Sequence, residues 1–416
     1  MSKKKSFLYV FLYYIAILFL IFICDHLSRH DSEFVETIVK DILKKLNRLS
    51  SISDDFKDLI GIDKSVKHIE SLMFIDTHNV KIIGIWGMGG IGKTTLARVI
   101  FNRLSSQFDG CCFLTNVIER FENRGMNDFM IKLYTELLGE NYQNTGNTYF
   151  KLRLRHKKVL IVLDDLNDPD QLEVLSGDLD QFGAGSRIIV TTRDAQVLRD
   201  RADESYELKG LNFGEAIELF SLNAFKRSSP TIDDMKLLVK VVNYADGIPL
   251  ALKVLGSFLR SRKKENWESE LNKLKKVPNK KIHNVLRLSY DGLDILEKSI
   301  FLDVVCFFKE MYCRHEVESV LGGRDSFVHI GIDNLIDKSL ITVDEHNCFQ
   351  MHALIQEMGW EIVRQQSIEE PGNRSRLWFA KDVYHVFKNN TVSGNRKYSN
   401  IDVFIHLIID SDYFWF

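Results

Sequence analysis

A glycine-rich stretch at residues 87–95 has the residue types that bind phosphate groups. Gly87, Gly92, Lys93 and Thr94 match the pattern G-x-x-x-x-G-K-[ST], with the apolar run KIIGIW before it and the helical stretch KTTLARVIFNRL after it. In such a phosphate loop (P-loop), backbone N–H groups and the helix N-terminus attract phosphate, the lysine neutralises its charge, and the hydroxyl can bind Mg²⁺. The strand before and the helix after favour this interpretation over a glycine-rich turn without a ligand. The residues predicted to hold nucleotide are Gly87, Gly89, Gly90, Ile91, Gly92, Lys93, Thr94 and Thr95.

Two acidic residues follow the apolar run VLIVL further along the chain. Asp164 and Asp165 would lie at the carboxyl end of a buried strand, the edge of a parallel sheet where ligands bind. We predict that Asp164 binds Mg²⁺ together with Thr94, directly or through water, and that Asp165 polarises an attacking water molecule. An Asp-Asp pair is also typical of a solvated loop, and the P-loop upstream is what makes the metal interpretation specific.

A single arginine, Arg193, ends the next apolar run, RIIVTTR. At the ligand edge of a parallel sheet, its guanidinium could reach the γ-phosphate of a nucleotide and detect whether that group is present. A surface ion pair with the neighbouring Asp194 is the alternative. We favour the first interpretation because the strand is expected to end at the same edge as the P-loop.

The elements that would position these residues follow from the spacing of apolar runs. Apolar strands alternating with helices predict a parallel sheet covered on both faces, the α/β fold of a P-loop NTPase domain. The predicted strands are KIIGIW (81–86), CCFLTNV (111–117), KVLIVLDD (158–165) and RIIVTTR (187–193). Near the other end of the chain, SLITV and CFQM predict a hairpin. A helix expected to begin near His352 completes a winged-helix arrangement.

The composition excludes a general affinity for nucleic acid. The 416 residues carry 55 Lys and Arg against 57 Asp and Glu, so no global field attracts a polyanion. The helix after the hairpin, HALIQEMGWEIVRQQ, contains acids and few bases, which argues against reading of a DNA groove. We therefore predict no nucleic-acid partner. The six cysteines form no C-x-x-C pair, which favours free thiols in a reducing compartment.

The N-terminal region, residues 1–30, contains an uncharged apolar run from Phe7 to Cys24 that is long enough to cross a bilayer as one helix. We predict a membrane anchor; a cleaved signal peptide and an incorrectly assigned chain start are open alternatives. Residues 31–59 have apolar positions at helical spacing and are predicted to form a connector helix. Because the motifs downstream need cytosolic nucleotide, we expect a cytoplasmic protein, anchored to the membrane if residues 7–24 are retained.

The order of the motifs resembles the NB-ARC nucleotide-binding switches of plant disease-resistance proteins, in the branch that carries an N-terminal TIR domain. The resemblance covers about residues 56–387 and rests on GMGGIGKTT, LIVLDDL, GSRIIVTTRD, GIPLAL, FLDVVCFF and QMHALIQEMG, which occur in the family's order. It implies a nucleotide-binding P-loop domain at 60–210, a helical domain at 211–282, a winged-helix domain at 283–370 and a tail at 371–416.

The resemblance also implies roles for individual residues. Ile60, Gly61 and Ile62 would cover the adenine of the nucleotide. Pro249 would pack on the other side of the base, and His352 would contact the β-phosphate of ADP and hold the domains closed. From the residues alone, Pro249 is equally typical of a helix start, and His352 of a buried core histidine.

The implied function is an ADP/ATP-binding switch in plant defence signalling, closed with ADP and Mg²⁺ and opened by exchange for ATP, with other immune receptors or signalling proteins as partners. Two features depart from the family. Ala353 stands where the family has aspartate, and the loss of a helix cap there would weaken the closed state. No stretch resembles a TIR domain or the link into leucine-rich repeats, so a truncated scaffold or decoy for full-length receptors stays open as an alternative. A steady-turnover ATPase that uses Asp165 and Arg193 on a γ-phosphate is the other alternative.

Overall fold

The computed structural model describes most of the chain between Leu59 and Asn389. The described residues are 59–74, 78–115, 129–139, 147–176, 179–225, 235–260, 262–263, 266–274, 278–308, 312–322 and 327–389. The predicted membrane anchor, the connector helix and the end of the tail lie outside them. Within the described ranges, no helix is both long enough and apolar enough to cross a membrane.

In the described part of the chain, five parallel strands form a sheet in the order β2-β3-β4-β1-β5. Their bounds are β1 Lys81–Trp86, β2 Gly110–Leu114, β3 Val159–Leu166, β4 Arg187–Thr192 and β5 Glu204–Glu207. The four predicted strands are confirmed, although the second ends at Leu114 rather than at residue 117. The apolar pattern missed β5, because this edge strand has the sequence ESYE and none of its residues is buried.

The strand order determines which residues meet at the ligand edge. β4 lies between β1, which leads into the P-loop, and β3, which ends in the acidic pair. The carboxyl ends of parallel strands point the same way, so the last residues of β4 lie between the P-loop and the carboxylates. The fold therefore gathers the three predicted motifs at one edge of the sheet.

Helices flank the sheet in the described part of this first domain. They are α1 Asp63–Phe74, α2 Lys93–Leu104, α3 Asn147–Leu154 and α4 Pro169–Ser176, and residues 129–138 are helical as well. α1 packs on β1 and buries Val66, Ile69 and Met73 completely. α2 has the bounds predicted from KTTLARVIFNRL and begins directly at the P-loop lysine.

A helical domain follows the sheet, as predicted. Its helices are α5 Phe213–Phe225, α6 Met235–Ala245, α7 Pro249–Arg260 and α8 Trp267–Leu274. α5 and α7 pack closely, because Gly256 has no side chain; a Cβ there would lie 2.7 Å from the Cβ of Asn223. Phe220 of α5 makes an edge-to-face contact with Trp267, which ties α8 to the same core.

A winged-helix domain completes the described chain and confirms the predicted fold class. Its elements are α9 Lys280–Asp291, α10 Ile295–Phe307, α11 Arg314–Gly322, α12 Val328–Asp337, β6 Thr342–Val343, β7 Phe349–Gln350, α13 Ala353–Gln366 and α14 Ala380–Asn389. β6 and β7 form the antiparallel hairpin, and α13 follows it. A capping box of Asp294 and Glu297 fixes the start of α10.

One hydrophobic core runs through the helical and winged-helix domains and extends to the P-loop. Ile91, in the middle of that loop, is only 7% exposed and belongs to this core, together with Leu252 of α7 and Phe349 of β7. The loop that would bind phosphate is therefore packed against both later domains.

Candidate functional site

The P-loop connects β1 to α2 through backbone angles that favour glycine. Gly90 has a φ of +79° and Gly92 a φ of +108°, both in the left-handed region. A Cβ added at Gly92 would meet no atom within 4 Å, so the loop borders open space where the helix begins. Because N–H groups at a helix N-terminus attract anions, this space fits a phosphate group.

Lys93, the first residue of α2, holds its ammonium group inside the P-loop. The Nζ atom donates hydrogen bonds to the backbone oxygens of Gly87 at 2.6 Å and Met88 at 3.0 Å. Burial and, to a smaller extent, the nearby charge of Arg193 lower the pKa of Lys93 to about 7. A buried cation that lacks full compensation is suited to receive a phosphate, since the anion would supply the missing opposite charge.

Asp164 joins three elements through hydrogen bonds. Its Oδ1 accepts from the Thr94 hydroxyl of α2 at 2.8 Å and from the Thr191 hydroxyl of β4 at 2.7 Å. Thr191 in turn accepts from the backbone N–H of Asp165 at 2.9 Å. The structure thus brings together Thr94 and Asp164, a hydroxyl and a carboxylate of the kind that Mg²⁺ prefers.

Arg193 forms its ion pair with Asp165. Nε lies 3.2 Å from Oδ1 of Asp165, and Nη1 donates to the backbone oxygen of Val285 in α9 at 2.8 Å. Asp194 pairs instead with Lys338. The alternative derived from the sequence, a pair between Arg193 and Asp194, is therefore wrong. The guanidinium reaches from the sheet edge to the winged-helix domain, and the catalytic roles of Asp165 and Arg193 stay predictions.

The segments predicted to flank the adenine are linked by a chain of contacts that ends on the P-loop. A Cβ at Gly61 would lie 2.5 Å from Leu211, whose N–H donates to the backbone oxygen of Gly247 at 2.9 Å. Two residues further on, Pro249 begins α7, which confirms its interpretation as a helix start. The N–H of Leu250 then donates to the oxygen of Gly90 at 3.2 Å. Ile60–Ile62 and GIPLAL therefore meet beside the loop, and their contact with adenine stays a prediction.

His352 is the N-cap of α13 and also contacts the helical domain. Its Nδ1 accepts from the N–H of Leu354 at 3.1 Å, so the ring proton lies on Nε2. Nε2 donates to the backbone oxygen of Asp246 at 3.1 Å and lies 3.4 Å from its Oδ2. Burial lowers the pKa of His352 despite the nearby Asp246 carboxylate, so the ring is neutral near pH 7.

The position of the helix cap corrects one expectation. Because His352 is the N-cap, Ala353 is the first helical residue rather than the cap. The predicted loss of a cap at residue 353 is therefore wrong, since the imidazole supplies the acceptor that caps α13.

A cavity of about 330 Å³ lies beside the P-loop. All three domains contribute to its wall. The lining residues include Met88, Ile91 and Gly210 from the first domain, Asp246 from the helical domain, and Ser339, Ile341, Gln350, His352 and Ile355 from the winged-helix domain.

Sequence reasoning missed three groups at this site. Thr191 bridges the two aspartates, and the pair of threonines after the apolar run was the only available signal. Asp246 stands in an Asp-Gly turn with a φ of +45°, which could have marked a special loop before GIPLAL. Val285 contributes only its backbone oxygen, which no side-chain pattern can reveal.

A parallel sheet with a P-loop, a buried acidic strand end and a hydroxyl between them defines a P-loop nucleotide-binding protein. Residues 62–230 match the NB-ARC domain, and residues 294–367 match the winged-helix domain of Roq1-like disease resistance proteins. Residues 62–230 therefore form an NB-ARC domain, and the resemblance found in the motifs is confirmed.

Relatives support this assignment, and a solved structure supports the fold. TMV resistance protein N of Nicotiana glutinosa is 44% identical over 88% of this chain and 32% of that protein. Disease resistance protein RUN1 of Vitis rotundifolia is 45% identical over 84% of this chain and 26% of that protein. The chain thus spans about a third or less of these relatives' length. The Walker-type ATPase PABY2304 of Pyrococcus abyssi shares the fold with a TM-score of 0.53 at 12% identity, over 73% of this chain and 97% of that one.

Proposed function

We propose that this chain is a nucleotide-dependent switch in plant defence signalling, closed around ADP and Mg²⁺ and opened when ADP is exchanged for ATP. The observation that carries the proposal is the cavity beside the P-loop, because residues of all three domains line it. A ligand bound there would change how the domains are joined. The disease-resistance relatives support the defence role.

Each part of the site has a distinct task in this proposal. Lys93 and the P-loop amides would hold phosphates, while Thr94 and Asp164 would hold Mg²⁺. His352 would redirect its Nε2 proton from Asp246 to a phosphate oxygen, which links the nucleotide to the winged-helix domain. Ile60–Ile62 and Pro249 would enclose the base.

Contacts of Arg193 favour a switch over a steady-turnover ATPase. The guanidinium is held by Asp165 and by the Val285 oxygen. To reach a third phosphate, it would have to leave both partners, and its departure would free α9 from the sheet edge. Asp165 would then be released to orient water, so slow hydrolysis would reset the switch.

The nucleotide that the purified full chain retains tests the proposal. The protein is denatured and the released nucleotide is identified by chromatography. We expect mostly ADP, close to one per chain. An empty site with saturable ATP turnover would overturn the switch in favour of a steady ATPase. If Lys93→Arg loses its nucleotide but still binds its partner, the result would favour a scaffold.

Substitution of His352 separates its two contacts. His352→Asn keeps an N-cap acceptor but removes the Nε2 donor, whereas His352→Ala removes both. We expect both variants to release ADP at least about tenfold faster, because loss of a hydrogen bond to a charged group costs about 1.5–3 kcal/mol. Only His352→Ala should also lose about 1 kcal/mol of unfolding free energy. Fluorescent ADP release and urea unfolding measure the two effects.

His346 offers a matched control for this pair of variants. It is an exposed histidine of the same hairpin, so His346→Asn should leave ADP release unchanged. If His352→Asn also released ADP at the wild-type rate, His352 would be a helix cap and nothing more.

A further inference from the structure

Two cysteines that lie far apart in the sequence meet in the winged-helix domain. Cys313 precedes α11 and Cys348 precedes β7, and the two residues form an antiparallel bridge outside the named strands. Their Sγ atoms are 3.0 Å apart. Both thiols are partly exposed, so small solutes can reach them.

The backbone around this pair has the geometry that favours cross-strand disulfides. The N–H of Arg314 donates to the oxygen of Asn347 at 2.8 Å, and the N–H of Phe349 donates to the oxygen of Tyr312 at 3.2 Å. These bonds flank Cys313 and Cys348, which are therefore a non-hydrogen-bonded pair. In such pairs the Cα atoms approach most closely and the side chains lie nearer to each other.

The two thiols have different surroundings. Cys313 stands at the N-terminus of α11, where its backbone oxygen accepts from Val317 at 3.3 Å. The hydrogen bond with Cys313 is the largest effect that raises the pKa of Cys348, to about 11. Cys306 and Cys112 have pKa values raised by burial, so they are poorer nucleophiles. Among the described cysteines, Cys313 is the best placed to react first.

We propose that Cys313 and Cys348 are a redox-active dithiol that a peroxide converts into a reversible intrachain disulfide. The Cys313 thiolate attacks one peroxide oxygen; an S–O bond forms, the O–O bond breaks, and hydroxide leaves as water after taking a proton. The Cys348 sulfur then attacks the sulfenic sulfur, the S–S bond forms, the S–O bond breaks, and a second water leaves. Both sulfurs are oxidised and both peroxide oxygens are reduced, and a dithiol reductant reverses the result.

The bond would fix the strand that leads to His352. Cys348 lies immediately before β7, and α13 with its His352 cap follows that strand directly. Oxidation therefore ties the start of α11 to the hairpin, and it restrains the unfolded chain as well.

The test uses the reduced full chain and hydrogen peroxide. After treatment, free thiols are blocked with N-ethylmaleimide and the protein is digested without reductant for mass spectrometry. We expect a peptide pair joined through Cys313 and Cys348, with the loss of two hydrogen atoms, and its disappearance after dithiothreitol. The urea midpoint of the oxidised protein should shift upward from that of the reduced protein.

Three variants make the result specific. Cys313→Ser and Cys348→Ser should each abolish the joined peptides and the urea shift, whereas Cys306→Ser should keep both. In Cys348→Ser, dimedone should label Cys313 as a sulfenic acid. Three outcomes would each overturn the proposal. Both thiols could still react with maleimide after peroxide treatment, a disulfide could form with another cysteine or a second chain, or the thiols could be oxidised to sulfinic acid without a disulfide.

Discussion

Replacing Lys93 with methionine is expected to weaken ADP binding at least a hundredfold while leaving the nucleotide-free protein as stable as the wild type or more stable. The ammonium of Lys93 is the buried cation inside the P-loop, held by the Gly87 and Met88 oxygens. Loss of one partner of a buried, hydrogen-bonded charge pair costs about 2–5 kcal/mol in binding.

The free energy of unfolding of Lys93→Met should stay the same or rise, because burying the Lys93 charge is costly in the wild type. Lys93 is 7% exposed, and burial lowers its pKa from 10.5 to about 7. Methionine fills a similar volume without a charge. Between pH 7 and 10.5 the unfolded chain keeps a proton that folded Lys93 loses. Wild-type stability should therefore rise with pH relative to Lys93→Met across that window.

Thermal unfolding with and without ADP measures both effects. ADP at about a hundred times its wild-type Kd should stabilise the wild type by about 2.7 kcal/mol and Lys93→Met by no more than about 0.4 kcal/mol. Lys132→Met is the matched control, since Lys132 is 38% exposed and forms an ion pair with Glu136 of its own helix. An ADP-dependent rise in Lys93→Met equal to that of the wild type would contradict the assignment of the P-loop.

The motifs that were predicted from sequence are those in which spacing along the chain determines the structure. The P-loop needs its glycines, lysine and threonine within one turn between a strand and a helix, so a local pattern was sufficient. The acidic pair was placed correctly because a buried apolar strand leads into Asp164 and ends at Leu166. Both inferences depend on neighbours in sequence rather than on tertiary packing.

Contacts between distant segments could not be predicted in this way. Arg193 and Val285 are 92 residues apart, and His352 and Asp246 are 106 apart, so their meeting depends on how the domains pack. The described cysteines are free, as predicted, but their spacing did not reveal that the register of the hairpin brings Cys348 to Cys313. Capping of α13 by an imidazole also escaped prediction, because histidine is not among the usual N-cap residues.

Residues 371–389 contact α10 of the winged-helix domain, although the sequence assigned residues 371–416 to a tail. Arg376 is 9% exposed and its Nε lies 2.9 Å from Oδ1 of Asp303 in α10. Its Nη2 also donates to the backbone oxygen of Ser299 at 2.9 Å and to the Ser299 hydroxyl at 2.8 Å. One guanidinium thus fastens this segment to α10, the helix on which α13 packs.

Arg376→Met is therefore expected to lower the free energy of unfolding by about 3–5 kcal/mol, because it leaves the nearly buried Asp303 carboxylate without its cation. Asp303→Asn in the same chain should recover part of the loss by removing the uncompensated charge. The matched control is Arg287→Met. The side chains of Arg287 and Asp291 are 41% and 51% exposed, so loss of their ion pair should cost no more than about 1 kcal/mol. Urea unfolding measures all four chains. If Arg376→Met lowered the free energy of unfolding no more than Arg287→Met, the segment would be an appended tail. The contact of α13 with α10 would then not depend on it.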